Sequence, residues 1–343
     1  MRKIILLIIF IICILGTIYF FRYNNIPDLT RKLKTTRNPT WMIQLDEGVK
    51  DLPINRLKIP GTHDSGMYSK ENLFVDIEGG PKWSDLMRNL PGIFKTNIEG
   101  WSINQNTTVS EQLNNGIRYL DIRVAYSKTL NDFLCVHTFG GPLLKHVLTD
   151  IKEFSMKNPS EVILINFKPY YSCVSNNVHN ENIKKLVKSM LSEFMVSNKH
   201  SINETTLRDM FILNKNIFLF NDDWSNDRYF HKSPFYSQWV DSDNIEIKTN
   251  IFKNQIENFI KDSEYNDSMM LIDWTYTASR SEALISYNNL EKYATLTNYY
   301  LSSFIDSVNE KYKDFIGVVS VDFESNSQIV SELIKLNQNL SRK

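Results

Sequence analysis

The sequence predicts an α/β protein built as a (β/α)8 barrel. Three observations predict this class: short apolar segments alternate with amphipathic helical ones, eight apolar segments can be counted, and a polar residue follows most of them. The 343 residues are enough for one barrel of about 250 residues with extensions, or for two smaller domains. The regular alternation favours the barrel.

The predicted strands are short and mostly apolar. Residues 161–168 give the clearest signal, because a near-continuous apolar run is typical of a strand buried on both faces of a parallel sheet. In chain order the eight predicted strands are residues 57–59, 117–124, 133–137, 161–168, 216–221, 236–240, 269–274 and 316–322.

Helical patterns separate most of these strands. Thr108 and Glu111 have the spacing of a capping box, and Gly116 is expected to end that short helix. Residues 67–106 contain turn residues without periodicity and are interpreted as surface loop with short helical pieces. The other predicted helices cover residues 148–157, 182–195, 250–261, 290–312 and 328–339.

The N-terminal segment is predicted to lie outside the barrel. An apolar run of 18 residues, 4–21, follows Arg2 and Lys3, as in a signal peptide or a short membrane anchor. The division is a signal peptide or anchor over 1–22, a linker over 23–40 and the barrel domain over 41–343. A membrane-anchored or secreted protein, extracellular or lumenal, is expected, and four glycosylation sequons permit it.

Charge and cysteine content exclude other classes. The 39 basic and 39 acidic residues balance, which gives no general affinity for nucleic acid, and no obligate protein partner is evident. Cys13 lies in the N-terminal apolar run, so only Cys135 and Cys173 could pair. They are expected at different heights on the barrel and are predicted to be free thiols.

Charged residues at the predicted strand ends indicate the active site, because the C-terminal ends of the strands form that site in a (β/α)8 barrel. The first strand is expected to stop at Pro60-Gly61, before His63. Asp273 also lies at the end of a predicted strand. It is interpreted either as a site residue or as a buried hydrogen-bonded acid. The other strand-end residues are Arg123, His137, Lys168, Asn221 and Asp322.

Two histidines beside an arginine suit acid–base chemistry on an anion. One histidine can deprotonate an attacking hydroxyl while the other protonates the leaving oxygen. The planar guanidinium of Arg123 suits two phosphate oxygens, so a phosphodiester substrate is predicted.

A metal site is the alternative for His and Asp side chains. The sequence contains no HExxH motif and no cysteine-rich spacing, and Arg123 would repel a divalent cation from Asp121. The prediction is therefore a site without a metal or cofactor.

Four segments carry a resemblance to a known family. In order they are Ile59-Pro60-Gly61-Thr62-His63-Asp64-Ser65-Gly66, Gly116 to Arg123, Val136-His137 and Asn158-Pro159-Ser160-Glu161, with Trp41-Met42 upstream. The sequence resembles the X-domain of phosphatidylinositol-specific phospholipases C of the bacterial, metal-independent type, from about residue 41 onward and most densely up to residue 168. The resemblance implies a distorted TIM barrel that cleaves phosphatidylinositol or GPI anchors at a membrane surface.

The resemblance also implies roles for individual residues. His63 is the expected general base on the inositol 2-hydroxyl, oriented by Asp322, and His137 is the expected general acid, paired with Asp64. Arg123 stands where a calcium-dependent branch carries a metal-binding carboxylate.

The resemblance weakens on the headgroup side. Lys168 matches a strand-end lysine there, but Asn221 stands where an arginine is expected. Asp241 is the predicted headgroup-binding acid, and Trp239 or Tyr236 is the predicted stacking ring. The alternatives are the same barrel acting on another lipid phosphodiester, or a non-catalytic module that binds lipid or glycan.

Overall fold

The computed structural model describes residues 37–89, 92–262, 267–277, 289–312 and 317–340, with single residues at positions 10, 13 and 17. The described part contains a nine-stranded sheet in which β1, β2 and β5 to β9 pair with one another in parallel. The strands are β1 (Ile59–Thr62), β2 (Tyr119–Ser127), β3 (Asp132–His137), β4 (Phe139–Leu143), β5 (Ile163–Pro169), β6 (Ile217–Phe220), β7 (Phe235–Tyr236), β8 (Met269–Trp274) and β9 (Val318–Val321).

The parallel strands form the wall of a distorted barrel. Neighbours follow the order β6, β5, β2, β1, β9, β8, β7. Between β6 and β7 the described residues hold a single bridge, from Phe220 to His231, while the rings of Phe220 and Phe235 meet at 5.1 Å. The predicted α/β barrel class is confirmed. The barrel is distorted between β6 and β7, where the described residues hold only this bridge.

One predicted barrel strand is a hairpin strand instead. β3 pairs antiparallel with the end of β2, and β4 pairs antiparallel with β3. Residues 128–131 connect β2 to β3, whereas a parallel crossover needs a dozen or more residues. The Asp76 carboxylate accepts hydrogen bonds from the Ser127 hydroxyl and from two backbone amides of this turn.

The first strand runs through Pro60-Gly61 rather than ending there. Ile59 and His63 donate their amide hydrogens to the carbonyls of Gly317, just before β9, and Val321 of β9. Pro60 faces the other way, and its carbonyl accepts from the amide of Arg118, just before β2. Pro60 has no amide hydrogen to donate. Its nitrogen lies beyond the start of β2, so no hydrogen bond between the two strands is lost there. A Cβ on Gly61 would lie 2.7 Å from the Tyr119 ring, so glycine leaves room for that ring inside the barrel.

Helices surround the strands. The capping box of Thr108 and Glu111 is present, and Gly116 ends its helix with a φ of 116°, as predicted. The single helix predicted over 290–312 is two consecutive helices, which are separated by Tyr300. The α-helices are α1 (Glu47–Lys50), α2 (Lys82–Arg88), α3 (Gly92–Ser102), α4 (Val109–Asn115), α5 (Leu144–Lys157), α6 (Ser172–Ser175), α7 (Asn177–Leu191), α8 (Leu207–Leu213), α9 (Ile245–Lys261), α10 (Leu290–Tyr299), α11 (Leu301–Tyr312) and α12 (Ile329–Gln338).

Side chains alternate between the inside and the outside of the barrel along each strand. On β8, Met269 and Leu271 join the apolar cluster inside the barrel, whereas Met270 and Ile272 join the cluster shared with the helices. The next inward position on β8 is Asp273. Inward positions thus change from apolar to charged toward the C-terminal end of the strand, which places the charged groups at the barrel mouth.

A fully buried ion pair lies at the N-terminal end of the barrel strands, opposite the mouth. Arg118 Nη2 lies 2.6 Å from Glu161 Oε2, and both side chains are excluded from solvent. The Glu161 carboxylate also accepts from the amides of Met42 and Ile43. The pair therefore joins the start of β2, the approach to β5 and the segment that begins the barrel domain.

Replacing Glu161 with glutamine is expected to lower the free energy of unfolding by about 3 kcal/mol, because Arg118 would remain buried and charged without its partner. Chemical denaturation of the variant measures this. As a matched control, Lys145→Gln breaks an exposed pair with Asp132 and should change stability by less than about 1 kcal/mol. Equal effects of the two variants would contradict the expectation.

The predicted N-terminal signal or anchor lies almost entirely outside the described residues. Within them, no helix is long and apolar enough to cross a membrane. Cys135 and Cys173 are buried free thiols, as the sequence predicts.

Candidate active site

The mouth of the barrel gathers charged side chains from several strand ends. Most lie at inward positions at or just beyond the ends of their strands. The set is His63 and Asp64 after β1, Asp121 and Arg123 on β2, His137 at the end of β3, Lys168 on β5, Asp273 on β8 and Asp322 after β9.

His137 reaches the mouth by a different route from the others. β2 continues past the mouth, and β3 returns antiparallel to it, with Cys135 opposite Val124. His137 lies two residues further on, near the level of Arg123. His137 therefore lies in the predicted region, although its strand is not a barrel strand.

His63 is oriented by a carboxylate on the neighbouring strand end. Its Nδ1 lies 3.0 Å from Asp322 Oδ1, which also accepts a hydrogen bond from Asn104 Nδ2 at 3.0 Å. Gln105 donates to the backbone carbonyls of His63 and Val321 and so fixes the two strand ends relative to each other. This arrangement leaves His63 Nε2 directed into the mouth.

Arg123 is the central cation of the site. Its Nε lies 2.8 Å from Asp64 Oδ1, and its Nη2 lies 2.9 Å from Asp121 Oδ2 and 2.8 Å from His63 Nε2. The Arg123 contact to His63 is a hydrogen bond when Nε2 is unprotonated and Nδ1–H is donated to Asp322. That unprotonated form of His63 is the one that a general base requires.

Asp121 links two cations. Its Oδ1 lies 2.9 Å from Lys168 Nζ, while its Oδ2 accepts from Arg123. Burial alone would raise the pKa of Asp121, but Arg123 and Lys168 outweigh burial and hold it well below its usual range. Asp121 therefore stays ionised and keeps both cations in place.

Asp64 connects the two histidines. Its Oδ2 lies 3.5 Å from His63 Nε2 and 3.9 Å from His137 Nε2. Asp64 and Thr138, which follows His137, have positive φ angles of 44° and 64°. Such angles cost energy in residues other than glycine and cluster at functional sites.

The two histidines have opposite pKa shifts in the free protein. Burial alone would lower the pKa of His63, but the Asp64 and Asp322 carboxylates raise it to about 9. Burial lowers the pKa of His137, and the attraction of Asp64 does not overcome this. Near neutrality the pair therefore holds one proton, mainly on His63.

One group of side chains has the spacing of a cation site. His63, Asp64 and Asp121 offer ligand atoms within 4.8 Å of one another. The Arg123 guanidinium contacts all three and supplies a positive charge among them. A divalent cation would have to displace Arg123, so these residues do not fit a resident metal.

The predicted headgroup residues are only partly brought to the mouth. Trp239 lies there, with its ring centroid 5.5 Å from that of His63. Tyr236 instead packs against Phe259 of α9, and Asp241 is exposed. The structure thus favours Trp239 over Tyr236 as a ring beside the site.

Asn221 has a structural role rather than a position in the mouth. Its Nδ2 donates to the Phe167 carbonyl, and its Oδ1 accepts from the Trp224 amide. The side chain joins β5 to the turn that follows β6. The backbone of Asn221 follows its strand as predicted, but its side chain is directed to Phe167 and Trp224.

Asn104 and Gln105 are site residues that the sequence analysis missed. Both lie in the stretch interpreted as surface loop, yet both are buried. Their partners, Asp322 and Val321, are more than 200 residues away in sequence. No local pattern indicates such contacts.

A comparison with models of known protein families shows which family this chain belongs to. The family model PI-PLC X 1, of the PI-PLC X domain, matches residues 99–337. The chain belongs to the PI-PLC X-domain family. The match includes Arg123, His137, Lys168 and Asp322, and begins after His63.

Relatives and solved structures agree with this family. Human PI-PLC X domain-containing protein 2 is 27% identical over 219 residues, which are 62% of this chain and 66% of that protein. The chain thus matches slightly less than two thirds of that relative's length. The phosphatidylinositol-specific phospholipase C of Listeria monocytogenes has a TM-score of 0.57 at 18% identity, covering 88% of this chain and 99% of its own.

A second solved structure, the corresponding enzyme of Staphylococcus aureus, has a TM-score of 0.56 at 19% identity, covering 88% of this chain and 98% of its own. At such identities the similarity shows the fold. The PI-PLC X-domain chain described here is a TIM barrel, as the sequence predicts.

Proposed function

We propose that this PI-PLC X-domain protein is a metal-independent phosphodiesterase. Its substrate is phosphatidylinositol or the phosphatidylinositol part of GPI anchors, and its products are diacylglycerol and a cyclic inositol phosphate. The observation that carries the proposal is the arrangement of His63, Arg123 and His137 around Asp64, with Asp322 behind His63. This arrangement supplies a base, an acid and a phosphate-binding cation within one mouth.

The proposed reaction is an internal transfer at phosphorus. His63 Nε2 takes the proton of the inositol 2-hydroxyl, whose oxygen forms a bond to phosphorus. The bond from phosphorus to the diacylglycerol oxygen breaks, and His137 donates a proton to that oxygen. Arg123 neutralises the phosphate charge, and its transfer from His63 to the phosphate releases Nε2 to act as the base.

The proton distribution of the free site is compatible with these roles. The reactive form needs His63 neutral and His137 protonated, which is one proton on the pair. The free protein also holds one proton, mainly on the other histidine. A bound phosphate anion favours protonation of His137, so substrate binding shifts the proton toward the reactive form.

The proposal is tested by incubating the purified protein with phosphatidylinositol vesicles in EDTA and recording ³¹P spectra. Cyclic inositol phosphate is the expected product. Activity that vanishes in EDTA and returns with calcium would overturn the metal-independent mechanism, because it would require a cation in place of Arg123.

A second candidate is the same chemistry on another lipid phosphodiester. It is motivated by Asn221, which is engaged with Phe167 and Trp224 where an arginine is expected. Product analysis on a panel of phospholipids separates the two candidates. Normal lipid binding without turnover on any of them would instead favour a non-catalytic lipid- or glycan-binding module.

We propose that the mouth faces a phosphatidylinositol-containing membrane, in a membrane-anchored or secreted protein. Trp83 and Leu86 of α2 are 54% and 62% exposed. The Trp83 ring contacts Phe139, two residues after His137. Exposed large apolar side chains beside a mouth suit insertion among lipids.

Replacing Asp322 with asparagine is expected to move the alkaline limb of the kcat/KM–pH profile to lower pH by about 1–3 units. That limb reports loss of the last proton from the histidine pair, and the Asp322 carboxylate helps raise the pKa of His63 to about 9. The shift is measured by steady-state kinetics between about pH 5 and pH 10, the range in which histidine pairs titrate. Asp306→Asn, at an exposed residue of α11, should leave the profile unchanged. An unmoved alkaline limb in the Asp322 variant would show that another group controls it.

A further inference from the structure

Residues 237–241, the rim segment, follow β7 and carry Trp239, whose ring centroid lies 5.5 Å from that of His63. Within this segment only Val240 is buried, and the other side chains are exposed. β7 itself consists of two residues, so its pairing with β8 ends before the rim segment begins. The position of Trp239 therefore depends on contacts from outside the sheet.

Two buried side chains of α9 hold the rim segment on either side of Trp239. Lys248 Nζ donates a hydrogen bond to the Val240 carbonyl at 3.0 Å. Gln255 Nε2 donates to the Gln238 carbonyl, also at 3.0 Å. The two accepting carbonyls belong to the neighbours of Trp239 in the chain, so both bonds fix the backbone from which its ring projects.

Lys248 is a buried cation that the acid–base mechanism does not use. It is 1% exposed, its Nζ lies 5.8 Å from the centre of the Phe252 ring, and within the described residues it forms no ion pair. Burial lowers the pKa of Lys248 to about 8, although the carboxylates of Asp322, Asp273 and Asp241 oppose this shift. The influence of these carboxylates places the ammonium group close behind the mouth.

Apolar side chains would be more favourable at both positions if they served the core alone. A buried charge without an ion-pair partner is unfavourable, and so is a buried amide oxygen without a hydrogen-bond donor. Gln255 is buried, and its Oε1 has no hydrogen-bond partner among the described residues. What Lys248 and Gln255 provide is a pair of hydrogen bonds to the backbone of the rim segment. Their chemistry therefore indicates a role in positioning that segment.

We propose that Lys248 is a positioning residue, whose hydrogen bond to the Val240 carbonyl holds the rim segment against α9 and places the Trp239 ring beside His63. In this role Lys248 does not touch the substrate, and Gln255 assists it from the other side of Trp239. The ring shields the imidazole of His63, which is 5% exposed, from water. The effect on turnover rests on the proposed function, whereas the position of Trp239 does not.

The position of Trp239 is measured by NMR of the protein with isotope-labelled histidine. The ring current of Trp239 shifts the carbon-bound imidazole protons of His63, so Trp239→Leu should move these signals. Lys248→Met is expected to move them in the same direction by a comparable amount. Spectra at about pH 6, far below the His63 pKa of about 9, keep that ring protonated in every variant. Lys261→Met, at an exposed residue of the same helix, should leave the signals in place.

A folding defect is separated from positioning by the melting temperature and by a second variant. Methionine is similar in length to lysine and removes a buried charge, so Lys248→Met should melt at the same or a higher temperature. Thr277 Oγ1, 3.4 Å from the Val240 oxygen, remains as a donor to that carbonyl. Gln255→Met loosens the rim segment independently and should move the His63 signals in the same direction, and its result decides if Lys248→Met does not fold. Unmoved His63 signals in the folded variants would overturn the assignment.

Kinetics on phosphatidylinositol vesicles separate this inference from the proposed function. Lys248→Met and Trp239→Leu should lower kcat/KM by similar factors, about 10-fold, because a displaced ring admits water to the reacting end of the mouth. The double variant should be no slower than either single variant, since Lys248 acts through Trp239. If the NMR signals move as expected but the unmodified protein turns over no phosphatidylinositol, the proposed function fails and the positioning role stands. If turnover occurs and Lys248→Met is as active as Lys261→Met, the assignment fails and the function stands.

Discussion

Replacing His137 with alanine is expected to slow cleavage of phosphatidylinositol about 10²–10⁴-fold, and a substrate with an acidic leaving group should largely restore the rate. The physical reason is that a diacylglycerol alkoxide needs a proton as it departs, whereas a nitrophenolate does not. The measurement is kcat/KM of each protein on phosphatidylinositol and on a nitrophenyl ester of inositol phosphate.

The His63 variant should respond differently to the same pair of substrates. The 2-hydroxyl must lose its proton whichever group leaves, so His63→Ala should stay impaired on both. His146→Ala, at an exposed histidine of α5, is the matched control and should be fully active.

The leaving-group test also settles the direction of proton transfer, which a pH profile does not. One proton on a pair of histidines gives the same bell-shaped profile whichever of the two carries it. The free site holds that proton mainly on His63. If the nitrophenyl ester rescues His63→Ala instead of His137→Ala, the roles of base and acid are exchanged.

The sequence predicts the barrel because its physical cause is repetitive. Buried parallel strands must be apolar on both faces, and the charged groups that follow them must converge at one end of a closed wall. His63 and Asp322 lie 259 residues apart, yet their positions after adjacent strand ends bring them to 3.0 Å. Their arrival at one mouth is predicted from the strand ends, whereas their pairing was implied by the family resemblance.

Contacts that depend on side-chain direction cannot be predicted in the same way. Asn221 follows a barrel strand but turns toward Phe167, and Asn104 looks like a loop residue but supports Asp322. Both are uncharged amides that fit either a surface or a buried network. Only the closed barrel distinguishes the two environments.

The hairpin shows a constraint of chain length. The strand pattern of residues 133–137 is correct, but the four residues before β3 cannot cross to a parallel position. A count of connecting residues, applied beside the apolar pattern, would have separated this strand from the barrel wall. His137 would then have been assigned to an antiparallel extension of β2.

Replacing Arg123 with alanine is expected to lower kcat/KM about 10³-fold or more, because it removes the only cation that contacts both Asp64 and His63 in the described part of the chain. Arg123 also opposes protonation of both histidines, so their pKa values should rise in the variant. The alkaline limb of the pH profile should therefore move upward, opposite to its movement in Asp322→Asn. Kinetics of the two variants across the same pH range measure both effects.

Arg123→Lys separates the charge of this residue from its geometry. A lysine restores a positive charge but cannot contact Asp64, Asp121 and His63 through a planar fork, so part of the loss should persist. Arg208→Ala, at an exposed ion pair on α8, controls for general loss of positive charge and should be active. Full activity in Arg123→Lys would mean that Arg123 acts as a point charge, whereas an upward pH shift without loss of rate would mean that it tunes the histidines without binding the phosphate.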